Sequence, residues 1–525
     1  MIRYVTRPRY APCIAPPHVI GERAREAQMS SDRIPATPTA CLSRLAVPAA
    51  ARTVDTVDSV IESLTQEKPM IQRLDRAIHF VPQLINNAFY VVAHDVVVED
   101  FCAVQAKKFD ADFEGAQKMT TTVASQNDAE STLAELFAPD TRPDPYPVHR
   151  ALRTKSPLVT KGGDLVIIAN YADCQQVLRD PSVRNDPKLS RLGKDHPERP
   201  ESLLFLDPPA HTRIRRLVSK AFTPRVIRAS QPQIHSIVDE LIENIASKSE
   251  FDVISEFALP LPVRIMCALL GIPVEEFGDF EPAARRLGRV LDFNLVVHND
   301  DLDDAEGARN ELMNYLVNLI ARRRGNLGDD LLSRLIEVEE EGEVLSEGEL
   351  LATCVLLMVA GHETTANLIA NGVLALLQNP DQREILAADP ELGISAADEA
   401  LRYDAPIQFV MRIATRDMEV SGTAISPGTA MLVLLASANR DPEHYPDADR
   451  FDVARGAADH LAFSAGAHFC LAAALGRAEG AAALSAFAAR VIDPVLVPGS
   501  LQYRPNVNLR GIQAMTVTHG GVRLR

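Results

Sequence analysis

Hydrophobic and polar positions are arranged differently in two parts of the chain. Residues 1–118 are rich in Pro and Arg at first and are then weakly patterned. A polar, turn-rich lead over residues 120–128 opens a stretch that is patterned continuously to residue 525. The sequence contains no internal repeat and no long low-complexity tract. We therefore predict an N-terminal extension of unknown role over residues 1–118 and a folded domain over residues 119–525.

Three interpretations of the N-terminal extension stay open. It is an overlong translation with Met119 or Met29 as a later start, a disordered or partly helical extension, or a targeting peptide. Residues 3–52 are net basic, which is typical of targeting peptides, but residues 54–114 carry many acids, which such peptides lack.

The patterned part predicts mostly helices. The longest is expected over residues 346–378, because Ser346 and Glu349 form a capping box and Asn379-Pro380 ends the pattern. Such a helix would span roughly 50 Å. Extended pieces are short and bounded by turn residues, and they cover residues 165–168, 418–420 and 430–435. This pattern predicts a mainly α (α+β) fold with small β-sheets.

Composition excludes several classes of protein. Hydrophobic residues make up 46% and charged residues 24%, as in ordinary globular domains, and the net charge of -17 argues against a nucleic-acid-binding protein. The seven cysteines are scattered without CxxC spacing, which favours a reducing cytoplasm over a disulfide framework. The most apolar stretch, residues 77–98, is interrupted by polar residues, so no transmembrane anchor is expected.

Cys470 is the most informative residue of the chain. It closes a Gly-containing loop over residues 463–472, directly before an Ala-rich helix that is expected to begin near Leu471. The positive end of a helix favours the thiolate form of a cysteine. Zinc needs further ligands at suitable spacing, and none are present, so a single thiolate suits a metal held by a macrocycle. The alternative is a buried free cysteine in a loop.

Polar residues interrupt the longest predicted helix at residues 360–365. Threonines in a helix interior can bond a carbonyl one turn earlier, which accounts for Thr364 and Thr365. This hydrogen bonding does not explain Glu363, because buried carboxylates are rare unless they are paired.

Other charged residues occur at helical spacing. Glu399 and Arg402 lie three residues apart, and His211 and Arg215 lie four apart on a helix opened by Asp207-Pro208-Pro209. Taken alone, such pairs are usually surface contacts.

The loop resembles the haem-binding signature of the cytochrome P450 family. Phe463, Gly466, His468 and Cys470 match it, whereas Ser464 and Ala472 stand where glycine is more usual. The resemblance covers residues 133–525, and nothing in it matches the extension. It implies a cytochrome P450-like fold with a long central distal helix, and haem b (iron protoporphyrin IX) with Cys470 as its axial thiolate ligand.

The resemblance also implies roles for the other residues. Glu363 and Thr364 resemble the acid–alcohol pair that serves oxygen activation, with Gly361 letting the helix open beside the haem. Glu399 and Arg402, with Arg455 downstream, resemble a buried charge network that sets the cysteine loop. The positions that match the family's propionate-binding residues are His211, Arg215, Arg412 and His468.

A substrate pocket can be placed in part. The expected wall residues are Leu356, Val359, Ala360, Ile407, Gln408, Phe409 and Val410, of which Gln408 is the polar one. Segments around residues 292–297 and 192–203 are expected to form the lid. Terpenoid, polyketide, fatty acid and steroid scaffolds all stay open.

The resemblance implies a monooxygenase that takes electrons from a ferredoxin and its reductase and inserts one oxygen atom of O2 into a small apolar or amphipathic molecule. A basic patch is expected to dock the electron donor, and its members are Arg213, Arg216, Lys220 and Arg477. The alternatives are a peroxide-driven enzyme, a dehydratase or isomerase of the same fold, and a haem-thiolate sensor or carrier without turnover. The first two are disfavoured by the intact Glu363-Thr364 pair.

Overall fold

Helices make up most of the structure between residues 131 and 524. The computed structural model describes residues 131–160, 162–193, 202–220, 222–288, 299–340 and 343–524. The predicted extension over residues 1–118 lies outside the described residues.

The helices differ widely in length, from four residues in the shortest to 32 in the longest. In chain order they are α1 (Tyr146–Arg153), α2 (Tyr171–Arg179), α3 (Ala210–Ser219), α4 (Pro224–Ala246), α5 (Pro260–Leu270), α6 (Phe277–Gly288), α7 (Asn299–Arg324), α8 (Leu331–Glu337), α9 (Glu347–Gln378), α10 (Pro380–Ala388), α11 (Gly393–Tyr403), α12 (Leu435–Ala438) and α13 (Ala473–Arg490). Single 3-10 turns, including Leu461–Phe463 and Gly466–His468, lie between them.

The strands are short and form small sheets. They are β1 (Leu158–Val159), β2 (Leu165–Ile168), β3 (Val183–Arg184), β4 (Glu250–Asp252), β5 (Glu339–Glu340), β6 (Glu343–Val344), β7 (Val410–Ala414), β8 (Met418–Val420), β9 (Thr423–Ile425), β10 (Ala430–Val433), β11 (Val491–Ile492), β12 (Val495–Leu496), β13 (Gln502–Tyr503), β14 (Ile512–Ala514), β15 (Thr516–Thr518) and β16 (Gly521–Val522). The largest sheet has the order β1-β2-β10-β7-β3. In it β10 runs parallel to β2 and antiparallel to β7.

The predicted strand over residues 430–435 is two residues too long. The ladder ends at Val433, and Leu435 begins the short helix α12. Both segments are fully buried and apolar, so hydrophobicity alone could not separate the end of the strand from the start of the helix.

Helix α9 confirms the prediction for the longest helix. Ser346 accepts a hydrogen bond from the Glu349 backbone, and the Glu349 carboxylate accepts one from the Ser346 N–H at 2.9 Å, which completes the capping box. The helix ends at Gln378, one residue before Asn379. It is buried along most of its length, because apolar residues surround its C-terminal half on all sides.

The hydrophobic core is built around α9. Its N-terminal half, from Leu350 to Val359, belongs to one cluster with α5, α6, α7 and α8. Its C-terminal half, from Leu368 to Leu376, belongs to another cluster with α4, α11 and α13. The central helix therefore couples both parts of the core.

Two glycines bring α9 and α13 into close contact. A Cβ atom at Gly372 of α9 would lie 2.8 Å from Leu484 of α13. A Cβ atom at Gly480 of α13 would lie 2.9 Å from Leu368 of α9. Each helix thus receives a leucine of the other where it has no side chain, which fixes the helix that follows Cys470 against the central helix.

Across the described residues, no single helix has the length and apolar composition needed to cross a membrane. The bent pair Ile254–Leu270 and Val274–Leu287 meets that test only when its two helices are taken together.

Candidate active site

The cysteine loop folds tightly back on itself before α13. The backbone N–H of Cys470 donates to the carbonyl oxygen of Phe463 at 2.9 Å. Gly466 has a φ of 69°, and a Cβ atom there would lie 2.2 Å from the carbonyl oxygen of Leu178, so this position requires glycine. Ser464 also adopts a positive φ, of 60°, where the sequence comparison with the signature leads one to expect glycine. The loop therefore has a fixed shape that presents the Cys470 side chain.

The helix after the loop begins at Ala473, two residues later than the sequence suggested. Burial raises the pKa of the Cys470 thiol, while the N–H of Ala472 and the charges of Arg215 and Arg477 lower it. The N–H group before the helix thus favours the thiolate as expected, but burial outweighs it in the protein alone and the net shift of the pKa is upward. A bound cation reverses that balance, because a coordinating thiol is deprotonated.

Cys470 differs from the other cysteines that the structure describes. Cys174, Cys267 and Cys354 are buried, whereas Cys470 is half-buried. Burial raises the pKa of Cys354 to about 12 and that of Cys267 to about 11, which makes both thiols unreactive. Cys470 is thus the described thiol that is open to a ligand.

Four cationic or titratable side chains surround the same loop, and we call them the cation cluster (His211, Arg215, Arg412 and His468). The rings of His211 and His468 lie 4.1 Å apart. Arg412 donates to the Ser464 hydroxyl at 3.3 Å, and Arg215 donates to the Phe469 carbonyl at 2.5 Å. The structure therefore brings together all four residues that the sequence suggested.

The cation cluster is electrostatically suited to a dianion. Burial lowers the pKa of Arg412 to about 10, and burial together with His211, Arg412 and Arg215 lowers that of His468 to about 3. The buried Nε2 atom of His211 has no hydrogen-bond partner among the described residues. Two carboxylates would satisfy these groups, so the residues present fit the two propionates of a haem.

Helix α9 has one face that is less buried than the rest of the helix. Most of its residues are buried, but Leu356, Ala360 and Thr364, each four residues after the previous one, are half-buried and share a face. The Thr364 hydroxyl donates to the Ala360 carbonyl at 2.8 Å, and its oxygen keeps acceptor capacity. The helix is continuous through Gly361, so the predicted opening beside this glycine is not seen.

Glu363 is buried and paired, which explains its presence in an apolar helix. Arg504, in the segment after β13, donates to the Glu363 carboxylate at 2.9 Å. Their side chains are 6% and 16% exposed, so the pair is largely shielded from water. Sequence reasoning missed Arg504, because nothing local relates it to a residue 141 positions earlier.

The cysteine loop and the polar residues of α9 are held near each other. A Cβ atom at Gly476, in the first turns of α13, would lie 3.8 Å from the Thr365 hydroxyl. The helix that follows Cys470 therefore contacts α9 next to Thr364.

The predicted charge network is assembled, and we call it the glutamate–arginine network (Glu399, Arg402 and Arg455). Arg402 donates twice to the Glu399 carboxylate, at 2.7 and 2.8 Å, and Arg455 donates to it at 3.2 Å. The remaining N–H groups of Arg402 donate to backbone carbonyls at Asn439, Ala448 and Arg450. Arg402 and Glu399 are completely buried, so this network ties α11 to the segment that leads to the cysteine loop.

Three predicted pocket residues are buried by contacts within the protein. Gln408 is buried, and its amide bonds His149 at 3.2 Å and the Ala405 carbonyl at 2.7 Å. Phe409 packs edge-on against Phe137, and Val359 belongs to the core cluster around the N-terminal half of α9, against which Leu356 also packs. These three residues are more buried than Leu356, Ala360, Ile407 and Val410, and their place in the pocket wall stays a prediction.

Ile407, shortly before β7, and Val410, the first residue of β7, are half-buried. Leu356 and Ala360 on α9 are half-buried as well. Of the predicted lid, residues 292–297 and 194–201 lie outside the described residues. Leu192 and Leu204, which flank the second gap, are exposed.

The predicted basic patch is largely neutralised by acids of the same chain. Arg213 pairs with Glu349, and Arg216 pairs with Glu343 at 3.0 Å. Arg477 pairs with Asp398 at 2.5 Å. Arg213 and Arg216 are half-buried rather than exposed, because the β5–β6 hairpin and the start of α9 supply these carboxylates. The patch is weaker than the sequence suggested.

A protein-family model described as Cytochrome P450 matches residues 158–389 and 395–488, and this match includes Cys470 and Glu363. The chain belongs to the cytochrome P450 family. Members of this family are haem-thiolate enzymes with a cysteine-ligated haem. The fold expected from the resemblance is confirmed by structural neighbours that share it.

The matches to relatives of this chain cover almost the full length of each relative. The vitamin D(3) 25-hydroxylase of Pseudonocardia autotrophica is 38% identical over 415 residues, which are 77% of this chain and 98% of the relative. The 6-deoxyerythronolide B hydroxylase of Saccharopolyspora erythraea is 34% identical and covers 74% of this chain and 100% of the relative. The crystal structure of CYP164A2 from Mycobacterium smegmatis superposes with a TM-score of 0.70 at 42% identity, covering 74% of this chain and 99% of the other.

The chain is therefore a cytochrome P450 enzyme of bacterial type, an oxidoreductase of the monooxygenase class. When bound, a cysteine-ligated haem supplies oxygen activation, because the thiolate pushes electron density to the iron and favours cleavage of the O–O bond.

Proposed function

We propose that this cytochrome P450 inserts one oxygen atom of O2 into a small apolar or amphipathic molecule in the cytoplasm, with electrons from a ferredoxin and its reductase. The observation that carries the proposal is the contact between α13 and α9 at Gly476 and Thr365. This contact joins the helix that follows Cys470 to the part of α9 that carries Glu363 and Thr364, which supports the proposal that the thiol and the acid–alcohol pair serve one site.

The cation cluster is proposed to hold the cofactor in one orientation. His211 and Arg215 approach from α3, Arg412 from β7 and His468 from the cysteine loop. In the proposal these four residues would hold the two propionates of the haem, and Cys470 would supply the thiolate ligand. The buried, unpartnered Nε2 of His211 supports this role, because a buried polar atom without a partner is costly.

Glu363 and Thr364 are proposed to handle protons. Oxygen activation by a bound haem would consume two protons, and the Glu363 carboxylate and the Thr364 hydroxyl, which are neighbours on one helix, would supply them. Arg504 holds the Glu363 carboxylate at 2.9 Å, and Thr364 holds its hydroxyl on the open face of α9. An intact pair of this kind favours an O2-dependent enzyme over a peroxide-driven one.

The proposed substrate wall is apolar. It consists of Leu356 and Ala360 on α9, with Ile407 and Val410 near β7, all half-buried. Such a wall orients a molecule by shape and excludes water from the reacting C–H bond. Two relatives are named as hydroxylases of vitamin D(3) and of 6-deoxyerythronolide B, which makes these compounds suitable first probes.

The ferredoxin-type donor is proposed because bacterial members of this family generally use ferredoxin and reductase partners. The ion pairs of Arg213, Arg216 and Arg477 reduce the basic charge available for docking. We therefore expect association with the donor to depend only weakly on ionic strength.

The test uses the purified full-length chain with a bacterial ferredoxin, ferredoxin reductase, NADPH and ¹⁸O2. Probe compounds are first ranked by whether they shift the haem absorption spectrum. A compound that shifts the spectrum should be released with one ¹⁸O atom, and formation of that product should depend on NADPH. If such a compound stimulates NADPH oxidation but contains no ¹⁸O, or is oxidised equally well by peroxide alone, the proposal is wrong.

A further inference from the structure

Asp398 lies next to Glu399 in sequence but points its carboxylate to a different set of partners. Arg477 of α13 donates from Nε to Asp398 Oδ1 at 2.5 Å, and the Nε2 atom of His460 lies 3.1 Å from the same oxygen. Asp398 and His460 are 4% exposed each. We call this set the Asp398 clamp (Asp398, His460 and Arg477).

The hydrogen bonds of His460 define its tautomer. Its Nδ1 atom lies 3.2 Å from the backbone N–H of Ala462, which can only donate, so Nδ1 accepts and carries no proton. The proton is therefore on Nε2, and His460 donates it to Asp398. The Nδ1 atom of His460 thus caps the start of the 3-10 turn Leu461–Phe463, and its Nε2 atom binds Asp398 of α11.

The third member reaches the cysteine loop itself. The guanidinium of Arg477 lies over the ring of Phe463, 4.9 Å from its centroid. The carbonyl of the same Phe463 accepts the backbone N–H of Cys470 at 2.9 Å. Asp398 therefore fixes the guanidinium of Arg477 against Phe463, the residue whose carbonyl accepts the hydrogen bond of Cys470. Arg477 lies on α13, which begins three residues after this cysteine.

Orientation distinguishes Arg477 from a docking residue. Its side chain is 22% exposed, and Nε, the guanidinium nitrogen nearest the backbone, donates to Asp398. A cation held by a buried carboxylate and an aromatic face has little freedom to meet a partner protein. The clamp also joins three elements: α11, the 3-10 turn before the cysteine and α13.

We propose that the Asp398 clamp is a positioning device that holds the Arg477 charge and the Phe463 ring against the cysteine loop, and that it thereby sets the reduction potential of the haem iron ligated by Cys470. The inference rests on Cys470 as the haem ligand. A fixed positive charge beside a thiolate stabilises the thiolate's own negative charge and reduces its electron donation, so it makes the iron easier to reduce. The negative charge of Asp398, which holds Arg477, has the opposite effect and lowers the reduction potential.

The test is potentiometric titration of the haem in the full-length protein for Arg477→Gln, Arg477→Lys and Asp398→Asn. Arg477→Gln should lower the reduction potential, and Arg477→Lys should keep it near the wild-type value because the charge is retained. Asp398→Asn preserves an acceptor for both partners but removes a negative charge, so it should raise the potential. Opposite shifts in two variants distinguish electrostatic positioning from general loss of structure.

Arg490→Gln is the matched control, because Arg490 lies on the same helix and donates to Asp239 at 2.5 Å far along α13 from the loop. Its potential should equal that of the wild type. If Arg477→Gln does not retain haem, Asp398→Asn decides the result alone. Unchanged potentials in a protein that shows thiolate-ligated haem would overturn the clamp, and slower reduction by ferredoxin at unchanged potential would assign Arg477 to docking instead. A wild-type protein without thiolate-ligated haem would overturn both the clamp and the proposed function.

Discussion

Thr364 is placed where one hydroxyl can serve both its helix and a molecule on the open face of α9. It donates to the Ala360 carbonyl at 2.8 Å and is half-buried, whereas its neighbour Thr365 is buried against α13. The two threonines therefore allow a comparison between a hydroxyl that is proposed to handle protons and one that packs against a neighbouring helix.

Thr364→Ala should leave haem binding unchanged and reduce product formation on the order of 100-fold, in line with the usual contribution of positioned proton transfer. Electrons should then leave as hydrogen peroxide. Product and peroxide formed per NADPH measure this directly. Thr365→Ala is the control and should keep normal coupling; equal coupling in both variants would remove Thr364 from the proton path.

Glu479 on α13 carries a buried carboxyl group outside the site. Its Oε2 atom has no hydrogen-bond partner among the described residues, and burial raises its pKa to about 8. The folded state therefore holds a proton that the unfolded chain releases near its ordinary pKa of 4.5. Because the unfolded state binds fewer protons between these values, stability falls as the pH rises from about 4.5 to about 8, by up to roughly 1.4 kcal/mol per pH unit.

Glu479→Gln should remove this loss, because the amide has the same shape and does not ionise. Urea unfolding at pH 5, 6.5 and 8 should show the variant gaining on the wild type by a few kcal/mol across this range. A constant difference between the two proteins at all three pH values would show that Glu479 is already ionised or solvated in the folded state.

At the scale of elements, α11 is the structural support of the cysteine loop. Its two consecutive acids direct separate contacts: Glu399 binds Arg402 and Arg455, and Asp398 binds His460 and Arg477. Because both carboxylates are buried, each depends on its cations, and removal of either side leaves an uncompensated charge.

Glu399→Gln should destabilise the protein by roughly 3–5 kcal/mol, the usual cost of breaking a buried ion pair, and should abolish haem incorporation. The haem-to-protein ratio after purification and urea unfolding report the two effects. Arg150→Ala is the control, since the Arg150–Asp449 pair is more than half exposed and its loss should cost no more than about 1 kcal/mol. Normal haem content in Glu399→Gln would show that the network is dispensable for the loop.

Local signals account for what could be predicted from the sequence. The capping box defined the start of α9, and the spacing of Cys470, His468 and Phe463 identified the loop, because both features involve neighbours in the chain. Arg504 could not be related to Glu363, nor His149 to Gln408, because these partners are 141 and 259 residues apart. The direction of each side chain on a buried element, as for Val359 and Phe409, depends on packing that hydrophobicity does not encode.

At the scale of the whole molecule, the family resemblance and the described structure cover the same part of the chain. The relatives match 77% and 74% of this chain while 98% and 100% of their own length is covered. The elements that hold Cys470, from α1 to the C-terminal strands, are all within residues 131–524.

A chain that begins at Met119 should therefore retain haem and the same absorption spectrum as the full-length protein. Haem content and thermal unfolding of the two proteins, purified side by side, would test this. Loss of haem from the shorter protein would assign residues 1–118 a role in folding or cofactor retention.

The absorption spectrum of the reduced, carbon monoxide-exposed protein tests the central claim most directly, because it reports the axial ligand itself. The full-length protein should show the strongly red-shifted Soret band of a thiolate-ligated haem, and Cys470→Ala should lose it. An imidazole-like band in the folded wild-type protein, or a red-shifted band that persists in Cys470→Ala, would contradict Cys470 as the ligand.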